Sequence, residues 1–372
     1  MKVWHLLSIS LMFFIFLLIS SCGGSFNAEE SYYGILFVTE RDGNMEIYLT
    51  KFLQNGDVEV LNLTNNDLND FSPGWSEQGK IAFLRGPNTG SSLSLMMMNA
   101  NGSGQNVLYE FNSIFGEFFT SHNCVSWSAD GKKIVFSYEE VHGMTERLNP
   151  IVIGFSDTYL CVYDTDSSSL TEIDEGDAFQ FTTNPNEESD EFVYSKTNFT
   201  QRGYMYVSTY DGSKTQIDTG AYDPCWDPTG EKIAYSKETP GSPRKIWKTD
   251  KHGSAPIQLS DGDGNDDTPH WIDDKIVYRR ETGGSGDVYL IYTGPGGIME
   301  KEIYSNPSSD ERNPRLSPDG RKVAFFSDMS GEWRMYVVDV DEQGNPVGEP
   351  IEVSKGSVVP TFPPQWSPMK IK

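Results

Sequence analysis

One short motif recurs along the chain and constrains the fold more than any other feature. Trp75–Phe83 (WSEQGKIAF) returns as Trp127–Phe136 (WSADGKKIVF), Trp226–Tyr235 (WDPTGEKIAY) and Leu316–Phe325 (LSPDGRKVAF). Trp271–Tyr278 (WIDDKIVY) is a shortened copy, Phe181–Tyr194 a degraded one, and Trp366–Pro368 a truncated one. The anchors Trp75, Trp127, Phe181, Trp226, Trp271, Leu316 and Trp366 are spaced 52, 54, 45, 45, 45 and 50 residues apart. A period of 40–50 residues with several short strands per unit indicates a β-propeller.

Each unit reads as four strands. A short strand ends at the anchor, and a Pro-Asp-Gly-like turn follows, where Asp and Gly tolerate the required φ and ψ. An alternating second strand comes next, such as Lys322 to Ser327. The third strands fall at Met45 to Leu49, Leu93 to Met98, Tyr159 to Tyr163, Tyr204 to Val207, Lys245 to Lys248, Asp287 to Ile291 and Arg334 to Val338. Fourth strands end near Leu63, Leu259 and Tyr304. No window sustains a helical period, so the expected class is all-β.

The repeat resembles the PD40, or TolB-like, family of WD40-like propeller repeats, whose hallmark is P-x-W-S-P-D-G-K-x-I-A-F. The resemblance covers residues 33–368. It implies a β-propeller and leaves the activity open, because propellers host many functions. Members of that family are usually six-bladed and carry a separate N-terminal domain, for which this chain leaves no length. Seven anchors predict seven blades, with six as the alternative. The first unit starts at Tyr33 without a Trp strand, and nothing follows Trp366 to complete a unit. Pro364 to Pro368 is therefore expected to pair beside Gly34 to Thr39, so that both termini build the closing blade and remove two open edges.

The N-terminus reads as an address. Lys2 precedes an apolar run from Leu6 to Ile19, too short to span a bilayer but suited to a signal peptide. Ile19-Ser20-Ser21-Cys22 resembles the bacterial lipobox, in which the Cys is diacylated and becomes the new N-terminus. The expected organisation is a lipoprotein signal peptide over 1–21, a lipidated tether over 22–32 and the propeller over 33–368. The expected location is the bacterial cell envelope, periplasmic or outer surface, with the lipid as sole membrane anchor. Cys124, Cys161 and Cys225 remain, an odd number without zinc-site spacing, and their disulfide state is open.

Lys and Arg total 29 against 54 Asp and Glu, a net charge of −25, which argues against nucleic acid as a partner. The loops entering the inner strands carry much of this acid. Leu63–Trp75 and Leu259–Trp271 match over thirteen residues, and Tyr304–Leu316 has the same length. In WD40-like propellers such loops gather on one face around the tunnel, so the resemblance implies that Asp67, Asp70, Asp263, Asp266, Asp310 and Glu311 share that face. In the third blade, Glu139 to Asp157 reads as a loop of nearly 20 residues with His142, Ile151, Ile153 and Phe155. The entry segment Tyr109 to Asn123 adds Phe115, Phe118 and Phe119. The chain order of WD40-like strands brings both segments to the acidic face, and an apolar patch rimmed by charge is a usual form of recognition site.

Asp261–Asp266 fails as a calcium loop, since Asp266 stands where Gly is needed and Ile272 where the bidentate Glu is needed. No metal site or cofactor is assigned, beyond a divalent cation held jointly by several loops at the tunnel mouth. No G-x-S-x-G, H-E-x-x-H or P-loop occurs, and no catalytic residue is assigned. The reading is a non-enzymatic module that binds a protein or glycan of the cell envelope. Its alternative is a propeller-type glycoside hydrolase or polysaccharide lyase.

Overall fold

The computed structural model describes residues 33–368, apart from 54, 88–91, 113–124, 144–153 and 199–201. The signal-like leader, Cys22 and Cys124 lie outside the described residues. Among the described residues every regular element is a strand, and the strands form seven four-stranded antiparallel sheets. Blade one lies between Gly34 and Asn62 with Gln365–Trp366, blade two runs from Asn69 to Asn112, blade three from Ser126 to Gly176 and blade four from Ala178 to Thr219. Blade five runs from Ala221 to Gln258, blade six from Asn265 to Tyr304 and blade seven from Glu311 to Glu352. The expected seven-bladed propeller is thus the observed fold.

Sequence periodicity explains the blades. The second strand of each sheet is sandwiched on both faces, so it reads as a continuous apolar run. Ile35, Ile81, Ile134, Phe192, Ile233, Ile276 and Val323 hold one slot of this strand, all fully buried. Two residues on, Phe37, Phe83, Phe136, Tyr194, Tyr235, Tyr278 and Phe325 are at most 1% exposed. These side chains fill the spaces between blades. Val277 and Leu290 of blade six, for example, pack on Val323 and Phe325 of blade seven. The Ser-Pro-Asp-Gly turn follows from local hydrogen bonding. Gly320 N–H donates to the Ser317 carbonyl at 2.8 Å, and the Ser317 hydroxyl accepts from Lys322 N–H at 2.9 Å while donating to Asp319 at 2.6 Å.

The ring closes as the termini predict. Gln365–Trp366 becomes the inner strand of blade one, with Trp366 opposite Ile35 and Gln365 opposite Leu36. A belt of indoles then ties the inner strands together. Trp127 Nε1 donates to the Gly74 carbonyl, Trp226 to Thr182, Trp366 to Arg315 and Trp75 to Gln365, at 3.1–3.2 Å. In each pair the acceptor is the residue just before the previous blade's anchor. Trp271 departs from this belt and donates to its own Asp273 carbonyl. The approach leaves no room for a side chain at Gly74, where a Cβ would lie 2.0 Å from the Val125 carbonyl oxygen.

The belt corrects one anchor. Phe181 pairs with Tyr194, whereas the residue opposite Phe192, equivalent to Ile81, is Thr183. Thr183 is therefore the anchor of blade four, and Phe181 lies two residues ahead of it. The long blade-three loop also shrinks. Lys133–Gly143 and Gly154–Asp164 continue as a paired ribbon, with Glu139 opposite Thr158 and His142 opposite Phe155. Only 144–153 is left to join them, and Ile151 and Ile153 fall there, outside the described residues.

Candidate functional site

The inner strands share a second local feature. Ser72, Asp223, Thr268 and Asn313 each precede a proline and each adopt φ of 51–55°. That region is costly for a side-chain-bearing residue and persists only when the surroundings enforce it. At each of the four positions the register of the inner strand shifts against its neighbour. Three of these bulges, Asp223, Thr268 and Asn313, turn toward a cavity of about 390 Å³ lined by inner strands on several sides. Gln180, Thr182, Pro224, Pro269, Arg315 and Gln365 complete its middle. This is the central tunnel.

The two ends of the tunnel differ. On the side of the acidic loops, the linker that leads into the closing strand is pinned to blades seven, one and two. Val359 N–H donates to the Val38 carbonyl, Val358 N–H to Trp333, and Asn313 Nδ2 to Pro360, all at 2.8–2.9 Å. Phe362 packs on Phe71 with ring centroids 5.9 Å apart, and Pro363 and Pro364 line the cavity beneath. At the other end stand Glu77, Ile272 and Pro318, at the turns between inner and second strands, and Pro368, just after the closing strand. A shallower cavity continues there past Trp127, Asn184 and Pro185.

The chamber is polar but carries little mobile charge. Arg315 Nη1 donates to the Pro314 carbonyl at 2.9 Å. Burial and nearby Arg315 push the His270 imidazole down to about 3, so it is neutral and accepts the Leu316 N–H at 3.1 Å. Burial holds the Asp267 carboxyl above its ordinary range, against the pull of Arg279 3.1 Å away. Gln180 Oε1 accepts from Asp223 N–H at 3.2 Å and Ser195 Oγ at 2.8 Å. Burial pushes the Cys225 and Cys161 thiols up to about 12, which makes both poor nucleophiles. Both thiols are free. Among the described residues no group of three or more His, Cys, Asp and Glu is placed to hold a metal ion. Amides, hydroxyls, prolines, the Arg315 guanidinium and the Asp223 and Glu77 carboxylates suit reversible recognition of a polar or peptide-like group.

The acidic residues singled out from the sequence divide. Asp67 and Asp263 are exposed. Asp70 and Asp266 are fully buried and bound by guanidinium groups, Asp70 by Arg85 at 2.6 Å and Asp266 by Arg280 at 2.7 Å. Asp310, half-buried, bridges Arg279 and Arg312. Glu311 is fully buried. Burial therefore corrects the picture of a uniformly acidic recognition rim, because Asp70 and Asp266 are internal ion-pair pins and Glu311 is likewise buried, with no ionic partner among the described residues. Phe115, Phe118, Phe119 and Ile151 lie outside the described residues, and His142 and Phe155 are placed only by their pairing in the ribbon. Sequence reading missed Gln180, Asp223, Thr268, Asn313 and Arg315. For Asp223, Thr268 and Asn313 the signal was the residue-Pro pair three and two positions before an anchor, as in Asp223-Pro224-Cys225-Trp226, whereas Gln180 and Arg315 carried no such mark.

No family model matches the chain. It is similar to the protein TolB homolog of Chlorobium luteolum, 25% identical over 254 residues, covering 66% of this chain and 55% of that protein. It is 29% identical over 150 residues to the Tol-Pal system protein TolB of Bordetella pertussis, covering 38% of this chain and 34% of that one. The chain thus spans about half, or less, of the length of the curated relatives it matches. Among solved structures it resembles an oligogalacturonate lyase in complex with manganese, with a TM-score of 0.61, 16% identity and 83% and 86% of the two chains covered. The β-propeller domain of the Trilobed protease from Pyrococcus furiosus gives 0.56, 15%, 87% and 95%. At such identity these structures speak for the fold alone. The repeat motif, the seven-bladed ring and the similarity to TolB relatives support placing this chain with the TolB-like propellers of PD40 type.

Proposed function

We propose that the chain is a binding module of the bacterial cell envelope that takes a segment of a protein partner into the turn-side mouth of its tunnel. The observation that carries this reading is the chamber itself. Its volume of about 390 Å³ falls in the range of ligand sites, and its lining offers convergent amides and hydroxyls. The buried, unreactive thiols and the neutral His270 support binding rather than covalent chemistry. Glu77 at the mouth and the net charge of −25 favour a segment carrying Lys or Arg. The names of the TolB relatives support an envelope setting, and the Ile19–Cys22 motif supports a lipid anchor that leaves the propeller on the membrane surface.

The test is a chamber-filling substitution. Thr182→Trp projects an indole into the lining. Affinity capture from envelope extracts with wild type should recover a partner that the folded variant loses. Equal recovery by both would move the binding surface away from the tunnel. Degradation of an extracellular polysaccharide by the wild type would support the lyase or hydrolase alternative instead.

A further inference from the structure

Second strands end in a slot that four blades fill with a cation. The residue four places after Ile81, Phe192, Ile233 and Ile276 is Arg85, Lys196, Lys237 and Arg280. Each meets a carboxylate, on Asp70, Asp174, Asp218 and Asp266, at 2.6–2.8 Å. In blade seven the slot holds Ser327, and the facing carboxyl is Glu311. Glu311 is fully buried. Its Oε1 accepts from the Ser309 and Ser327 hydroxyls, each at 2.7 Å, and its Oε2 has no partner.

Among the described residues, the cations around Glu311 are all paired elsewhere. Arg279, on the second strand of blade six, binds Asp267 and Asp310 and gives its Nε to the Glu311 backbone carbonyl at 3.1 Å. Arg312, on Glu311's own strand, binds Asp310 at 2.6 Å and lies over the Trp333 ring. Asp287 from the third strand of blade six and Asp310 from the entry loop both oppose a negative Glu311. Asp328, beyond Ser327, accepts the Asp310 N–H at 2.9 Å, and Tyr304 of the outer strand of blade six feels Glu311 through space. A buried ion without a partner is far costlier than a neutral acid.

We propose that Glu311 is held as a neutral acid and works as a proton-operated latch on the junction between blades six and seven. Ionisation forces one of two changes. Either the side chain leaves its pocket, or Arg279 swings toward it and releases Asp267 and Asp310. Asp310 also accepts the Gly286 N–H at 2.8 Å, so both routes loosen the loop that enters blade seven. Burial pushes the Glu311 carboxyl from 4.5 up to about 7. A carboxyl raised in this way stabilises the fold fully below its unfolded value, and that stability is lost as pH climbs through the folded value. The latch is closed in mildly acidic surroundings and opens above neutrality.

Hydrogen exchange by mass spectrometry on the full chain tests this, with intrinsic rates corrected for pH. Peptides covering 305–316 should exchange about tenfold faster or more at pH 8.5 than at pH 5.5, while blades four and five change little. Glu311→Gln, which cannot ionise, should flatten this ratio to near one. Ser327→Arg, which supplies the cation found in blades two and six, should do the same by a different route. A flat wild-type profile would overturn the latch. So would a tenfold ratio that survives in both variants, because the titrating group would then lie elsewhere.

Discussion

Ring closure by Gln365–Trp366 can be weighed contact by contact. Ser367 N–H donates to the Gly34 carbonyl at 2.8 Å, and Gly34 N–H to the Ser367 hydroxyl at 3.0 Å. Trp75 Nε1 reaches the Gln365 carbonyl at 3.2 Å, and Trp366 Nε1 reaches Arg315 at 3.1 Å. At about 1 kcal/mol net for each bond, these four contribute about 4 kcal/mol. The Trp366 ring stacks on Phe52 at 5.6 Å and packs into the apolar cluster between blades seven and one. Truncating a large buried aromatic costs about 3–5 kcal/mol, and the half-buried setting of Trp366 points to about 3. Trp366→Ala should therefore lower stability by about 3–4 kcal/mol, with a cooperative transition retained. Deleting residues 365–372 removes about 7 kcal/mol, within the whole stability of an ordinary domain, and bares the edge at Ile35 and Leu36. Urea unfolding followed by both fluorescence and far-UV circular dichroism reads the difference. The two probes should separate for the deletion, or the protein should aggregate. A deletion with an unchanged midpoint, or a Trp366→Ala change below about 0.5 kcal/mol, would refute closure by this strand as a source of stability.

Other expectations follow from buried charge, buried thiols and the leader. Arg85→Met strands Asp70 in the interior and should cost about 3–5 kcal/mol by denaturation, whereas the double change with Asp70→Leu should recover much of it; equal losses would mean the pair is not coupled. With Cys22 and Cys124 replaced by Ser, the folded protein at pH 8 should leave Cys161 and Cys225 unmodified by a thiol reagent until denaturant is added; rapid native labelling would contradict their burial. Cys22→Ala should abolish incorporation of labelled palmitate in cells, and undiminished labelling would remove the basis for the lipid anchor.

The fold was legible in the sequence because each blade repeats one physical problem. A strand covered on both faces must be apolar throughout, and the turn before it needs Gly and Asp, so Ile-Ala-Phe after Asp-Gly marks every blade that keeps both. Blade four lost both marks, and the anchor fell on Phe181 because aromatic character stood in for register. Only strand pairing shows that Thr183 holds the slot. The acidic face misled for a different reason. Asp70 and Asp266 look like surface loop residues until Arg85 and Arg280 are seen, and those partners sit 15 and 14 residues away on another strand. Composition counts charges but not which are buried together. The tunnel lining was hidden because Asp223, Thr268 and Asn313 come from three different blades, differ in side chain, and share only a following proline and their place three residues before an anchor.

The central functional claim is that the partner enters the tunnel from the turn side, away from the acidic loops. A photo-crosslinking residue placed at Glu77, on the turn side, and separately at Asp263, on an exposed acidic loop, measures this in intact cells. A discrete crosslinked protein is expected from position 77, abolished by Thr182→Trp, and none from position 263. A partner captured from position 263 alone would contradict it.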